Sequence, residues 1–149
     1  MGTGTDPRVF EALPHETWNT LEQEKSAALV DVRTKAEWGF VGFPDLESLG
    51  HSPIFVEWAS FPDMSANPGF AEMVIEKLGG EIPAKLFFLC RSGVRSLCAA
   101  EAVADALSQK GIPADCINVV EGFEGDLDAD RHRGQLNGWK SRGLAWRQS

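Results

Sequence analysis

A cysteine followed by two arginines and a glycine most constrains how this chain can fold. The loop is residues 90–95, Cys-Arg-Ser-Gly-Val-Arg, and it follows an apolar run over residues 86–89. A short apolar run that ends in a glycine-containing loop is typical of a buried strand, and the apolar spacing after Arg95 predicts a helix. The first N–H groups of a helix lack intrahelical partners and carry partial positive charge. The sequence therefore predicts an anion-binding site around Cys90, where a cysteine ionises readily.

The rest of the chain alternates strand and helix patterns. Strands are predicted over residues 27–32, 54–58, 86–89 and 116–120, and helices around residues 18–21, from residue 34, over 70–78 and from 95 to 111. Thr34 and Glu37 form the T-x-x-E capping box that starts a helix. This alternation predicts an α/β fold with an open, mostly parallel sheet of about five strands and helices on both faces. In such sheets ligands bind at the carboxyl ends of the strands, which is where Cys90 lies.

Length and charge limit the other possibilities. The chain has 149 residues, 43% of them hydrophobic, which predicts one domain over residues 1–149, with residues 1–13 as an N-terminal arm. The net charge of −8 disfavours nucleic acid and anionic membranes as partners. Neither an apolar run long enough to span a membrane nor a signal-peptide pattern is present, so we expect a soluble, cytoplasmic protein.

Cysteine and histidine usage argues against a metal or disulfide framework. The three cysteines lack paired metal-type spacing, and there are only three histidines. We therefore expect no metal site, with Cys98 and Cys116 as small buried apolar side chains.

Charged and aromatic residues elsewhere are assigned supporting roles. Asp31 interrupts an apolar strand and is expected to anchor neighbouring backbone, while Arg33 is expected to pair with Glu37 four residues on. We therefore predict that Asp31, Arg33 and Glu37 hold the site residues in place and do not take part in the reaction themselves. Three aromatic residues either line the pocket mouth or belong to the core; they are Trp58, Phe61 and Trp139.

These residues together resemble a known family. Asp31-Val32-Arg33 at a strand end, Glu37 and Trp38 in the next helix, and the loop of residues 90–95 resemble the single-domain rhodanese-type sulfurtransferases, over residues 10–146. The resemblance implies a rhodanese-like α/β sheet with the loop curled around the thiolate, and transfer of sulfane sulfur through a persulfide on Cys90. It implies no cofactor. The expected partners are a small sulfur-donor anion and a cyanide or thiol acceptor, with a sulfur-relay protein as a further candidate.

The loop residues then receive individual roles. Donor binding is assigned to Arg91, Ser92, Gly93, Val94 and Arg95. Their backbone N–H groups can stabilise thiolate and persulfide, and glycine permits the turn. The two arginines supply charge that favours a small dianion such as thiosulfate. Ser92 either donates a hydrogen bond to the bound sulfur or satisfies the loop backbone.

Two regions of the sequence differ from the family pattern. Residues 42–51 lack the family's usual Gly-His-Ile-x-Gly-Ala-type segment, and residues 127–137 resemble an insertion without an assigned role.

Two alternative functions stay open. One alternative is a phosphatase or arsenate reductase, but those enzymes carry five residues between cysteine and arginine, whereas Cys90 and Arg95 have four between them. The other is a non-catalytic sulfur-carrier, redox-sensing or binding module.

Overall fold

Five parallel strands form one sheet in the structure, a computed structural model that describes residues 8–60 and 62–148. In chain order the elements are β1 (Val9–Ala12), α1 (Pro14–Gln23), β2 (Ala27–Asp31), α2 (Lys35–Phe40), β3 (Phe43–Pro44), a 3₁₀ turn (Glu47–Leu49), β4 (Ile54–Phe55), β5 (Ala59–Ser60), β6 (Ser65–Ala66), α3 (Phe70–Lys77), β7 (Lys85–Leu89), α4 (Val94–Gln109), β8 (Asp115–Val119) and β9 (Trp146–Arg147). The strand order is β1-β8-β7-β2-β4, and every neighbouring pair is parallel. The predicted α/β class is confirmed.

The middle strand, β7, carries the cysteine loop at its carboxyl end. β2 pairs with it in register, with Asp31 opposite Leu89. The Val32 N–H then donates to the Leu89 carbonyl over 2.9 Å. Because the two strands end at the same level, Arg33 and Cys90 emerge at the same edge of the sheet.

Alternate residues of β7 enter two apolar cores, one on each face of the sheet. Leu86 and Phe88 pack in the core that α3 and α4 cover, whereas Phe87 and Leu89 pack in the core of α1 and the C-terminal segment. Side chains alternate between faces along a strand, so a strand covered on both faces has a continuous apolar run. That is the pattern from which this strand was predicted.

The end of the predicted N-terminal arm is a strand instead. Val9–Ala12 is β1, which pairs in parallel with β8 at the edge of the sheet. An edge strand is covered less completely, and Phe10 is 50% exposed. The segment therefore lacks the continuous apolar pattern that marks the inner strands. Residues 1–7 of the arm lie outside the described residues.

Helix α4 begins directly after the loop and lies against the sheet. Its buried stripe includes Ala99, Val103 and Leu107, as predicted. Cys98 was predicted to be buried but is exposed, because one residue along a helix turns the side chain by about 100° away from the stripe. None of the described helices is long and apolar enough to cross a membrane.

The segment of residues 41–52, which leads from α2 to β4, is held by β9. β3 pairs antiparallel with β9, with Phe43 opposite Arg147. The Asp45 N–H also donates to the Ala145 carbonyl over 3.0 Å. Arg33, which follows β2, donates from Nη2 to the Gly42 carbonyl, so this segment begins beside the carboxyl end of β2.

Candidate active site

Cys90 lies between the end of β7 and the start of α4. The Gly93 N–H donates to Cys90 Sγ over 3.1 Å. Gly93 has φ 109°, a left-handed conformation that glycine adopts without a Cβ penalty. The helix starts at Val94, so its free N–H groups open toward the loop. The structure thus contains the strand, loop and helix start that the sequence predicted around the thiol.

A second loop fixes the backbone of Cys90 and Arg91 from outside. The Phe123 N–H donates to the Cys90 carbonyl over 2.8 Å, and the N–H groups of Glu124 and Gly125 donate to the Arg91 carbonyl over 3.0 and 3.1 Å. A Cβ on Gly122 would lie 2.5 Å from that carbonyl oxygen, so only glycine allows this approach. The short passage after β8 therefore sets the path of the cysteine loop.

A buried polar chain lies beneath the thiol. Ser96 Oγ is 3.1 Å from Cys90 Sγ and donates its hydrogen to Asn118 Oδ1. Asn118 Nδ2 in turn donates to the Gly93 carbonyl over 3.1 Å. The hydroxyl in contact with sulfur is therefore that of Ser96, and among the described residues no hydrogen bond joins the half-buried Ser92 to Cys90.

Asp31 and Arg33 form a fully buried ion pair at the end of β2. Arg33 Nε and Nη2 donate to the two carboxylate oxygens of Asp31 over 2.9 and 2.7 Å, and Nη2 also donates to the Gly42 carbonyl over 2.7 Å. Asp31 also accepts the Arg33 backbone N–H over 3.2 Å. The predicted pairing of Arg33 with Glu37 is wrong, because Arg33 precedes the helix N-cap Thr34 and its side chain turns inward.

Glu37 instead pairs with Arg95 and so joins α2 to the start of α4. Arg95 Nη1 and Nη2 donate to the two carboxylate oxygens over 2.8 and 3.0 Å. Burial alone would raise the pKa of Glu37, but the hydrogen bond and charge of Arg95, together with the Thr34 N–H, hold this pKa below its ordinary value. Burial of Arg95 disfavours its charged form, whereas the hydrogen bond and charge of Glu37 favour it. The net result is a raised pKa for Arg95. Most of the charge of Arg95 is therefore compensated within the protein.

A cavity of about 640 Å³ opens beside the loop. Its charged lining consists of Glu37, Arg91, Arg95, Glu124 and Arg133, and its remaining lining of Thr34, Ala36, Phe40, Val41, Pro62 and Met64. Cys90 is 1% exposed and is not part of this lining, which includes Arg91 and Arg95 of the cysteine loop. Two of the predicted donor-binding residues, Arg91 and Arg95, therefore face one space, while Val94 is 73% exposed on the helix start outside it.

Two of the three aromatic residues predicted either to line the pocket mouth or to belong to the core, Trp58 and Trp139, pack in the cores. Trp139 is completely buried, its ring packs edge-to-face against Trp18, and its Nε1 donates to the Ala145 carbonyl over 2.9 Å. Trp58 packs edge-to-face against Phe70 in the other core. Phe61 lies outside the described residues.

Sequence reasoning missed four polar residues that surround the site. They are Ser96, Asn118, Glu124 and Arg133. Asn118 gave a usable signal, since a lone amide within the apolar run of residues 116–120 has to find a partner. Arg133 gave no such signal, because residues 127–137 have no hydrophobic periodicity from which the direction of its side chain could be predicted.

The three cysteines differ sharply in environment. Cys116 is buried in β8, and burial, with the nearby charge of Asp115, raises its pKa to about 12. It is therefore protonated and unreactive at neutral pH. Cys98 is exposed on α4, and Cys90 alone accepts a loop N–H at a helix start.

The chain is similar in sequence or structure to several known proteins. It is 34% identical over 131 residues to uncharacterized protein RC0915 of Rickettsia conorii and to uncharacterized protein RP600 of Rickettsia prowazekii, covering 88% of this chain and 91% of each relative. It is similar to the crystal structure of Rv0390 from M. tuberculosis, with 45% identity, a TM-score of 0.80, and coverage of 95% of this chain and 99% of that one. A rhodanese-like domain protein from Staphylococcus aureus aligns with 21% identity and a TM-score of 0.46, over 93% of this chain and 96% of that one. No family model matches the chain.

The fold and site define a parallel α/β protein with a cysteine loop at the carboxyl edge of its sheet. Within that class, the chain belongs to the family of RC0915 and RP600.

Proposed function

We propose that this protein is a rhodanese-type sulfurtransferase that carries sulfane sulfur as a persulfide on Cys90. One observation carries the proposal: Cys90 Sγ accepts the Gly93 N–H over 3.1 Å at the start of α4, beside a cavity that Arg91 lines. Partial positive charge at a helix start favours an anionic sulfur, which is common to thiolate and persulfide.

The reaction proceeds in two displacements. The Cys90 thiolate attacks the outer sulfur of a donor such as thiosulfate, the donor S–S bond breaks, and its electron pair leaves with sulfite. Cys90 then holds the transferred sulfur as a persulfide anion. An acceptor such as cyanide attacks the outer sulfur, forms thiocyanate and returns the electron pair to the thiolate. A thiol acceptor, free or on a relay protein, follows the same second step.

The groups around the sulfur have separate roles. Gly93 N–H stabilises the sulfur in each anionic state. Asn118 holds the Ser96 hydrogen, so Ser96 Oγ accepts from the protonated thiol; a rotation of this hydroxyl turns it into a donor once Cys90 is anionic. Since Cys90 is 1% exposed, loop side chains must shift to admit the donor.

Intact-protein mass spectrometry tests the persulfide. Incubation with thiosulfate is expected to add the mass of one sulfur atom to the wild type and none to Cys90→Ser. Cys98→Ser, which changes an exposed cysteine outside the site, should behave as the wild type does. An added atom that remains in Cys90→Ser would overturn the proposal.

Turnover separates an enzyme from a binding module. We expect thiocyanate release from thiosulfate and cyanide, lost in Cys90→Ala. A phosphatase or arsenate-reductase activity is disfavoured because Arg95 is held by Glu37 and only four residues separate it from Cys90. Aryl-phosphate hydrolysis that disappears in Cys90→Ser would favour that alternative instead.

A further inference from the structure

The cavity beside the cysteine loop is larger and more apolar than thiosulfate requires. Its volume is about 640 Å³, within the range of pockets that hold organic ligands. One part of its lining is formed by Phe40, Val41, Pro62 and Met64. Thiosulfate is a compact dianion without apolar surface, and it gains nothing from such contacts.

Two of the apolar lining residues, Phe40 and Met64, are exposed and lie outside both cores. Phe40, at the end of α2, is 86% exposed, and Met64 is 44% exposed. Met64 also has φ 56°, a left-handed conformation that costs a residue with a Cβ about 1 kcal/mol or more. Neither side chain belongs to either core. Both present apolar surface toward the cavity, as a ligand with an apolar body requires.

The charged part of the lining favours an anion. Three arginines face two glutamates, and Glu37 and Arg95 already compensate one another. Arg91 is exposed, and Arg133 is held by one hydrogen bond, from Nη1 to the Gly125 carbonyl over 2.7 Å. With that pair set aside, Arg91 and Arg133 face one carboxylate, that of Glu124, which leaves one surplus positive charge for an anionic head group in a protein whose overall net charge is −8.

We propose that the cavity binds an organic sulfane-sulfur anion, with its anionic head at Arg91 and Arg133 and its apolar body against Phe40 and Met64. This inference rests on the sulfurtransferase function proposed above and specifies its donor. For an organic thiosulfonate, the Cys90 thiolate attacks the outer sulfur, the S–S bond breaks, and the electron pair leaves with a sulfinate. An organic persulfide reacts in the same way and releases a thiolate.

A matched pair of donors tests the apolar part of the cavity. Benzenethiosulfonate differs from thiosulfate by a phenyl group in place of one oxygen, and both transfer their sulfur to cyanide as thiocyanate. Because the two leaving groups differ in reactivity, the informative quantity is the ratio of kcat/KM values and its change between variants. We expect Phe40→Ala and Met64→Ala each to lower the benzenethiosulfonate-to-thiosulfate ratio by about tenfold. Phe10→Ala, an exposed phenylalanine on β1 outside the cavity, should leave the ratio unchanged.

A second pair of variants tests the charged part. Arg133→Gln is expected to raise KM for both donors several-fold with little change in kcat, as the loss of a binding charge does. Arg131→Gln, in the same segment but outside the cavity lining, is the control.

The outcomes separate the two proposals. If neither donor leaves sulfur on Cys90, the sulfurtransferase proposal fails. If both donors do, but the ratio is the same in Phe40→Ala, Met64→Ala and Phe10→Ala, the donor inference alone is wrong.

Discussion

Two arginine–carboxylate pairs lie at the edge of the sheet that carries the cysteine loop, and they differ in their access to solvent. Arg33 and Asp31 are both 0% exposed, whereas Arg95 and Glu37 are each 19% exposed and line the cavity. Both pairs are bidentate. The difference in burial means that the first pair can only hold the fold, while the second also meets whatever enters the cavity.

The contribution of an ion pair to stability depends more strongly on its geometry for the buried pair than for the partly exposed pair. Removing two charges from water costs several kcal/mol, and their attraction repays this cost only while both partners are present. Arg33 also packs its guanidinium 4.2 Å from the Phe123 ring centroid, and its Nη1 has no hydrogen-bond partner among the described residues. The surroundings of Arg33 therefore cannot compensate its charge when Asp31 is removed.

The largest effect is expected from breaking the buried pair. Asp31→Ala leaves the Arg33 charge buried without a counterion, and we expect the free energy of unfolding to fall by about 3 to 5 kcal/mol. Urea unfolding followed by tryptophan fluorescence measures this change. The double variant Asp31→Ala with Arg33→Met removes both charges and should recover most of the loss. A single variant that loses less than about 1 kcal/mol would contradict the assignment.

The sequence predicted the inner part of the fold well because burial on both faces leaves a strong pattern. The apolar runs within β2 and β7 mark inner strands, and Thr34 with Glu37 marks the start of α2 as predicted. β1 was missed because a four-residue edge strand is defined by its pairing with β8, which no local pattern reveals.

The site was predictable only where it is local in sequence. Cys90 and Gly93 are only three residues apart, so the sequence alone could place them together at a helix start. Arg133 reaches the same space from a distant segment, and only the folded chain brings it there. The Arg33–Glu37 prediction failed because helical spacing was applied to a residue that precedes the helix.

A smaller effect, dependent on pH, is expected from the partly exposed pair. Glu37→Gln keeps a side chain able to fill the capping box but removes the charge that Arg95 binds. We expect a loss of about 1 to 2 kcal/mol at neutral pH. The pKa of Glu37 is lowered in the folded protein, so its contribution is complete above the unfolded value near 4.5 and disappears as the pH falls through the folded value.

The stability difference between wild type and Glu37→Gln should therefore be constant near neutrality and shrink in acid. Urea unfolding at a series of pH values measures it. Glu47→Gln is the matched control, since Glu47 pairs with Arg147 at side-chain exposures of 79% and 56%, and it should cost less than about 0.5 kcal/mol. A Glu37→Gln loss that persists unchanged far below pH 4.5 would mean that packing or capping, and not the charge on Arg95, makes this pair stabilising.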